Sequence, residues 1–303
     1  MDGVLIVDKP SGPTSHDVVA RVRRALGTRR IGHTGTLDPL ATGVLPLVIG
    51  KATRLASLLS STDKTYDASV RLGCATEAYD AAERQAAGMP PPPAPDVSRE
   101  DVERALDEFR GEYLQTPPRY SAKKIGGIAA HRLARRNLPA QPAPVRVSVS
   151  ELILGDVRDG LVGLTVTASA GFYVRSLAHE LGARLGCGGH LEALRRTRAG
   201  GFGIAAATPL DVVEAEAAGA AARLLPMHTL LPELDAYVLT DAGARRASHG
   251  NDINREDVAL PETDPAPLTR PAGPVRLFDG AGRLLAIARA GAEGALRPTV
   301  VLV

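Results

Sequence analysis

The side chains best suited to chemistry crowd into one short stretch of this 303-residue chain, Gly32-His33-Thr34-Gly35-Thr36-Leu37-Asp38-Pro39-Leu40-Ala41-Thr42-Gly43. Glycines at this density permit unusual backbone angles and close approach of a ligand. Pro39 biases Asp38 toward an extended conformation and away from a helix interior. A carboxylate held on such a loop can act as a nucleophile or stabilise a developing cation; it can also simply cap a turn. Other chemical patterns fail on spacing. Gly50-Lys51 lacks the earlier glycine and the following Ser or Thr of a phosphate-binding P-loop. Ser169, in Thr-Ala-Ser-Ala-Gly, lacks the first glycine of a nucleophile elbow. Cys187, His190 and His179 fit no zinc spacing, and Cys74 is distant in sequence. No metal site is expected.

A second feature is a run of charge. Tyr113 to Ser150 holds seven cations (Arg119, Lys123, Lys124, Arg132, Arg135, Arg136, Arg146) and no acid. Such a run is commonly a solvated face, but in a chain of net charge +2 it is a candidate polyanion site. The charge is uneven: residues 1–200 carry an excess of six cations, and the remainder an excess of four acids. Arginines number 31 against 5 lysines, which suits bidentate phosphate contacts or reflects the composition of the coding DNA.

These residues need elements to position them. Gly3–Asp8 reads as a buried strand. A helix follows from about His16, with Ser15 as its cap, Val18, Val22 and Leu26 on one face and Gly27 as its stop. Tyr66–Gly73, Val145–Val149 and Val162–Ala168 alternate as strands. Ser98 opens a helix that ends at Gly111, and Val174–Leu185 has helical spacing before Gly186. Another helix is expected from Thr208-Pro209 to about Leu225. Beyond Asp235 the chain turns to short strands, with a hairpin about Asp279-Gly280, a proline-rich loop from Pro261 to Pro274 and a last strand at Thr299–Val303. Hydrophobic residues are 44% and charged residues 23%, as in ordinary globular proteins, and no apolar run approaches the roughly 20 residues that span a bilayer. The start lacks a secretory pattern, and two cysteines make no disulfide framework, so a cytoplasmic location is expected.

Taken together, the motifs resemble those of the TruB family of tRNA pseudouridine synthases. The resemblance rests on GHTGTLDPLATG, on Gly3-Val-Leu-Ile-Val-Asp-Lys-Pro-Ser-Gly12, on Asp63-Lys-Thr-Tyr66 and on Pro117-Pro-Arg-Tyr-Ser-Ala-Lys-Lys124. Gly171-Phe-Tyr-Val-Arg-Ser-Leu177, Leu185-Gly-Cys-Gly-Gly-His190 and Leu194-Arg-Arg196 follow in order. Departures occur at Glu77, at Gly126-Gly127 and at His131.

The resemblance implies an α+β protein: a pseudouridine synthase core with a mixed or antiparallel sheet over residues 1–234, and a small β-rich, PUA-like RNA-binding domain over 235–303. It implies that Asp38 is the catalytic carboxylate, with Arg175 beside it and Asp80 as a second partner of that arginine. Tyr66 would stack on the target uracil and serve as general base. Tyr173 and Leu194 would line the pocket, and His33 would wedge into the space that a flipped nucleotide vacates. Residues 119–146 would form a basic arm, with Arg119, Lys123, Lys124, Arg132, Arg135 and Arg136 contacting phosphates. The implied reaction converts uridine to pseudouridine at position 55 in the T-loop of tRNA. The T-arm is then the partner, with no cofactor, no membrane and no obligate protein partner, and the protein is a monomer. A tRNA-folding role, or the guide-RNA-dependent branch of the same family, are the competing readings.

Overall fold

A computed structural model describes residues 1–136, 138–259 and 271–303, with only the backbone of Glu83, His131, Ala217 and Glu293 described. The loop expected from Pro261 lies outside the described residues as far as Arg270. Strand β1 (Gly3–Lys9) is apolar on both sides because both are covered. Leu5 and Val7 enter one hydrophobic core, while Val4 and Ile6 enter another on the opposite face. It pairs antiparallel with β2 (Thr42–Ile49). Between them runs α1 (Ser15–Ala25), which turns Val18, Val19 and Val22 inward. Its cap is Thr14, in a reciprocal capping box with Asp17, and not Ser15. Ser15 is the first helical residue, and its hydroxyl binds the backbone of Leu37 instead.

Strand β3 (Lys64–Leu72) follows, then α2 (Arg99–Leu106), whose cap is Ser98. A short 3-10 turn ends this helical region, and Gly111 opens a strand, β4 (Gly111–Gln115). The basic arm carries a two-residue hairpin, β5 (Lys124–Ile125) and β6 (Ile128–Ala129), and then α3 (Ala130–Ala134). Gly126 and Gly127 both have positive φ, 56° and 85°, which a tight hairpin demands and other residues adopt poorly. The long antiparallel pair β7 (Val145–Arg158) and β8 (Leu161–Ala168) leads into α4 (Val174–Arg184) and β9 (Gly189–Ala199). The sheet order is Thr208–Pro209, β1, β2, β9, β3, β8, β7, β4. It is mixed, because β9 runs parallel to β2 and antiparallel to β3.

At the parallel join Gly43 faces Arg196. A Cβ on Gly43 would lie 2.2 Å from the Arg196 carbonyl oxygen, so only glycine fits. The expected helix from Thr208 to Leu225 is two short ones, α5 (Leu210–Ala215) and α6 (Ala217–Ala222), broken at Glu216; Thr208–Pro209 pairs with β1. The last sheet comprises β10 (Ala236–Val238), β11 (Val275–Phe278), β12 (Leu284–Ala290) and β13 (Leu296–Val301). The final strand thus starts earlier than Thr299. Leu284, Ile287 and Leu302 share a core with Val4, Ile6, Val44 and Val48, so the C-terminal sheet covers the far face of the first.

Candidate active site

Asp38 sits at the floor of an open cavity of about 690 Å3. Its carboxylate meets the guanidinium of Arg175, from the first turn of α4. Nη2 donates to Oδ1 at 3.1 Å, and Nε lies 2.8 Å from Oδ2, as a charge contact without an aligned hydrogen bond. The arginine side chain is 5% exposed and the aspartate 32%, so the cation is shut in while the carboxylate keeps an edge open to the cavity. Arg175 is held by three further groups. Nη1 donates to the Ala78 carbonyl at 2.9 Å and stands 3.9 Å from Asp80 Oδ2, and Nη2 also donates to the Tyr120 carbonyl at 2.9 Å. Burial pushes the buried Asp80 carboxyl up; the N–H of Ala82 and then Arg175 pull it back.

Several of the expected residues converge on this cavity: Tyr66, Asp80, Tyr173 and Leu194 line it with Asp38 and Arg175, and Arg135 reaches it from the arm. Tyr66 is buried on β3, and burial raises its phenol pKa, with the Arg196 guanidinium beside it acting in the other direction. Burial likewise raises the Tyr173 phenol, against Ser121 and Arg175. His33 stands apart from the lining. Its Nδ1 accepts the Gly35 N–H at 3.3 Å, and its ring meets His16 edge-on at 5.4 Å. His16 lines the cavity in its place. Burial and the neighbouring His16 and Arg196 lower the His33 pKa, which favours the neutral ring. Lys123, Lys124, Arg132, Arg135 and Arg136 are exposed on the arm, and among the described residues none pairs with a carboxylate. Arg119 is half-buried against the Tyr120 ring. The side chain of His131 lies outside the described residues.

Residues without an assigned role in the sequence reading hold the loop. Lys9 is fully buried, and its ammonium donates to the carbonyls of Pro10, Pro39 and Ala41. Arg196, 1% exposed, donates to the carbonyls of Val44, Thr36 and Gly35. Ser15 closes the ring at Leu37. Gln115, buried on β4, accepts from the Tyr173 N–H and donates to its carbonyl, fixing the start of α4. Lys9 stands in the first quoted motif and Arg196 in the last. Sequence could flag both, but not the carbonyls they reach. Cys74 Sγ comes within 3.6 Å of His190 Nδ1 despite its distance in sequence; among the described residues no three His, Cys, Asp or Glu side chains gather as a metal would require.

A mixed sheet, an arginine-held carboxylate in a tyrosine-lined cavity and an exposed basic segment that brings Arg135 to it are the arrangement that the resemblance to pseudouridine synthases implies. The comparisons narrow this. The family model described as TruB family pseudouridylate synthase (N terminal domain) matches residues 23–174, and that of the tRNA pseudouridylate synthase B C-terminal domain matches 175–237. The chain is 40% identical to tRNA pseudouridine synthase B of Solibacter usitatus, over all of both chains. It is 42% identical to that of Thermobifida fusca, over 99% of this chain and 98% of the other. A solved Cbf5-Nop10-Gar1 complex contains a chain with TM-score 0.73 and 27% identity, covering 99% of this chain and 85% of that one. The chain belongs to the TruB family of tRNA pseudouridine synthases.

Proposed function

We propose that this isomerase acts on a uridine flipped from the T-loop of tRNA, at position 55, with Asp38 as the reacting carboxylate. The observation that carries the reading is the open edge of Asp38 against a closed Arg175. The guanidinium fork holds the carboxylate in one orientation. In the reaction the C1′–N1 bond breaks, the uracil turns, and a C1′–C5 bond forms. The proton on C5 leaves and N1 gains one, so the product is an isomer and no redox partner is consumed. Asp38 acts at C1′, where positive charge develops as the base departs.

Tyr66 stacks on the turned uracil and takes the C5 proton. Burial favours its protonated form, so the phenol must give up its own proton before it can accept that of C5; Arg196 is the cation that favours the ionised form. Tyr173 and Leu194 complete the base pocket. Flipping a base costs roughly a few kcal/mol, and the unpaired cations of residues 119–146 supply phosphate contacts against that cost. His33 enters the vacated stack after rotating away from Gly35. Residues 1–234 form the catalytic domain, and residues 235–303 a PUA-like domain that extends the RNA surface. The protein works as a monomer in the cytoplasm.

The whole-length similarity to proteins named tRNA pseudouridine synthase B favours this reading over a guide-RNA-dependent one. Unmodified tRNA with no guide is the test. Pseudouridine at a single T-loop position is expected, and product only with an added guide RNA overturns the reading. The exposed arm cations also favour a tRNA-folding role, since opening and releasing a T-loop is itself remodelling. An active-site variant that still accelerates tRNA folding would establish it, and the absence of any folding effect would discard it.

A further inference from the structure

Tyr79 stands out in the turn between β3 and α2. Its φ is +61°, in the left-handed region that bulky residues rarely enter. Its two neighbours both serve Arg175: the Ala78 carbonyl accepts from Nη1, and the Asp80 carboxylate faces the same nitrogen. The turn is tied from every side. Tyr79 N–H donates to the Thr76 carbonyl, the Thr76 hydroxyl donates to the Asp80 carbonyl, and the Tyr79 carbonyl accepts from Leu191 of β9. The ring of Tyr79 lies flat on His179, 3.8 Å between centroids and 7° between planes. His179 is one helical turn beyond Arg175, on the same face of α4. Burial lowers the pKa of the imidazole, so the stack is between two neutral rings at neutral pH.

We infer that Tyr79 is a positioning residue: its ring, stacked on His179, locks the 76–80 turn to α4, so that Arg175 is presented to Asp38 in one orientation. A left-handed turn brings the Ala78 carbonyl and the Asp80 carboxylate to one side, and the stack holds that side against the helix. Strain of this kind persists where the surroundings over-determine it, and it gathers near functional sites. Glycine would adopt the backbone freely but supply no ring, which separates the two contributions.

The inference rests on the proposed pseudouridine synthase activity, so its test pairs a rate with a signal independent of turnover. Single-turnover conversion of tRNA uridine and tRNA affinity are measured for Tyr79→Ala, Tyr79→Phe, Tyr79→Gly and His179→Ala. The Arg175 guanidinium is followed by its Nε–H resonance. Tyr79→Ala and His179→Ala are expected to slow conversion by roughly tenfold to a hundredfold, with tRNA affinity unchanged. Tyr79→Phe keeps the stack and is expected to restore the rate. Tyr79→Gly relieves the backbone yet stays slow, an outcome that a role in stability alone would not give. Tyr79→Ala combined with His179→Ala is expected to be no slower than either single variant. In each ringless variant the Arg175 resonance broadens or shifts. A folded Tyr79→Gly with wild-type rate and an unmoved Arg175 signal overturns the inference. Should the wild type make no pseudouridine, the functional reading falls, and the Arg175 signal alone decides for or against the lock.

Discussion

Arg175 gathers groups that are far apart in the chain: the carboxylates of Asp38 and Asp80 and the carbonyls of Ala78 and Tyr120. A guanidinium fork can satisfy these at once; an ammonium is a point charge and cannot. Arg175→Lys is therefore expected to bind tRNA yet lose about a hundredfold or more in single-turnover rate. Near-normal turnover would show that charge alone suffices. Tyr66→Phe separates stacking from proton transfer. Binding retained with product lost is expected, and full activity would remove Tyr66 as the base. That Asp38, Tyr66 and Arg175 would meet at one cavity was legible because each stands in its own motif. The Arg175–Tyr120 contact was not, because nothing in residue type announces that a backbone carbonyl will accept.

Among the elements, the loop that carries Asp38 is held chiefly by lysine and arginine donors to its carbonyls. Burial pushes the Lys9 pKa down to about 8, against the opposing pull of Asp38. A neutral amine has too few N–H groups for the carbonyls of Pro10, Pro39 and Ala41. Turnover is thus expected to fall as pH rises through about 8. The sign for stability is opposite: between about 8 and the unfolded value of 10.5 the folded chain holds fewer protons than the unfolded one, so this lysine's contribution to stability rises with pH. A pH–rate profile with unfolding followed in parallel checks both, and a rate flat well past this range contradicts the grip. On the arm, removing Lys123, Lys124 and Arg136 is expected to weaken tRNA binding and reduce its salt dependence by roughly one phosphate contact per cation. An unchanged salt slope would place the RNA elsewhere. The arm was legible from charge and the strands from alternation. The break at Glu216 was not, since an alanine-rich stretch reads as unbroken helix until packing divides it.

At the scale of the whole molecule, the two sheets share a core that composition alone suggested would belong to separate units. Ile287, buried in the same core as Val4 and Val44, therefore links them. Ile287→Ala is expected to lower the stability of the protein by about 2–5 kcal/mol in one cooperative transition. Two separate transitions in calorimetry, with only one displaced, would show independent domains. The shift near Asp235 was legible as a change of pattern; the shared core was not, because the apolar run of β1 reads the same whatever covers its second face. The proposed function places a single reaction at Asp38. Purified Asp38→Asn, nearly the same in size and shape, is the direct measurement, with intact unmodified tRNA as substrate. The account predicts wild-type binding and no pseudouridine. Substantial product from that variant would contradict it.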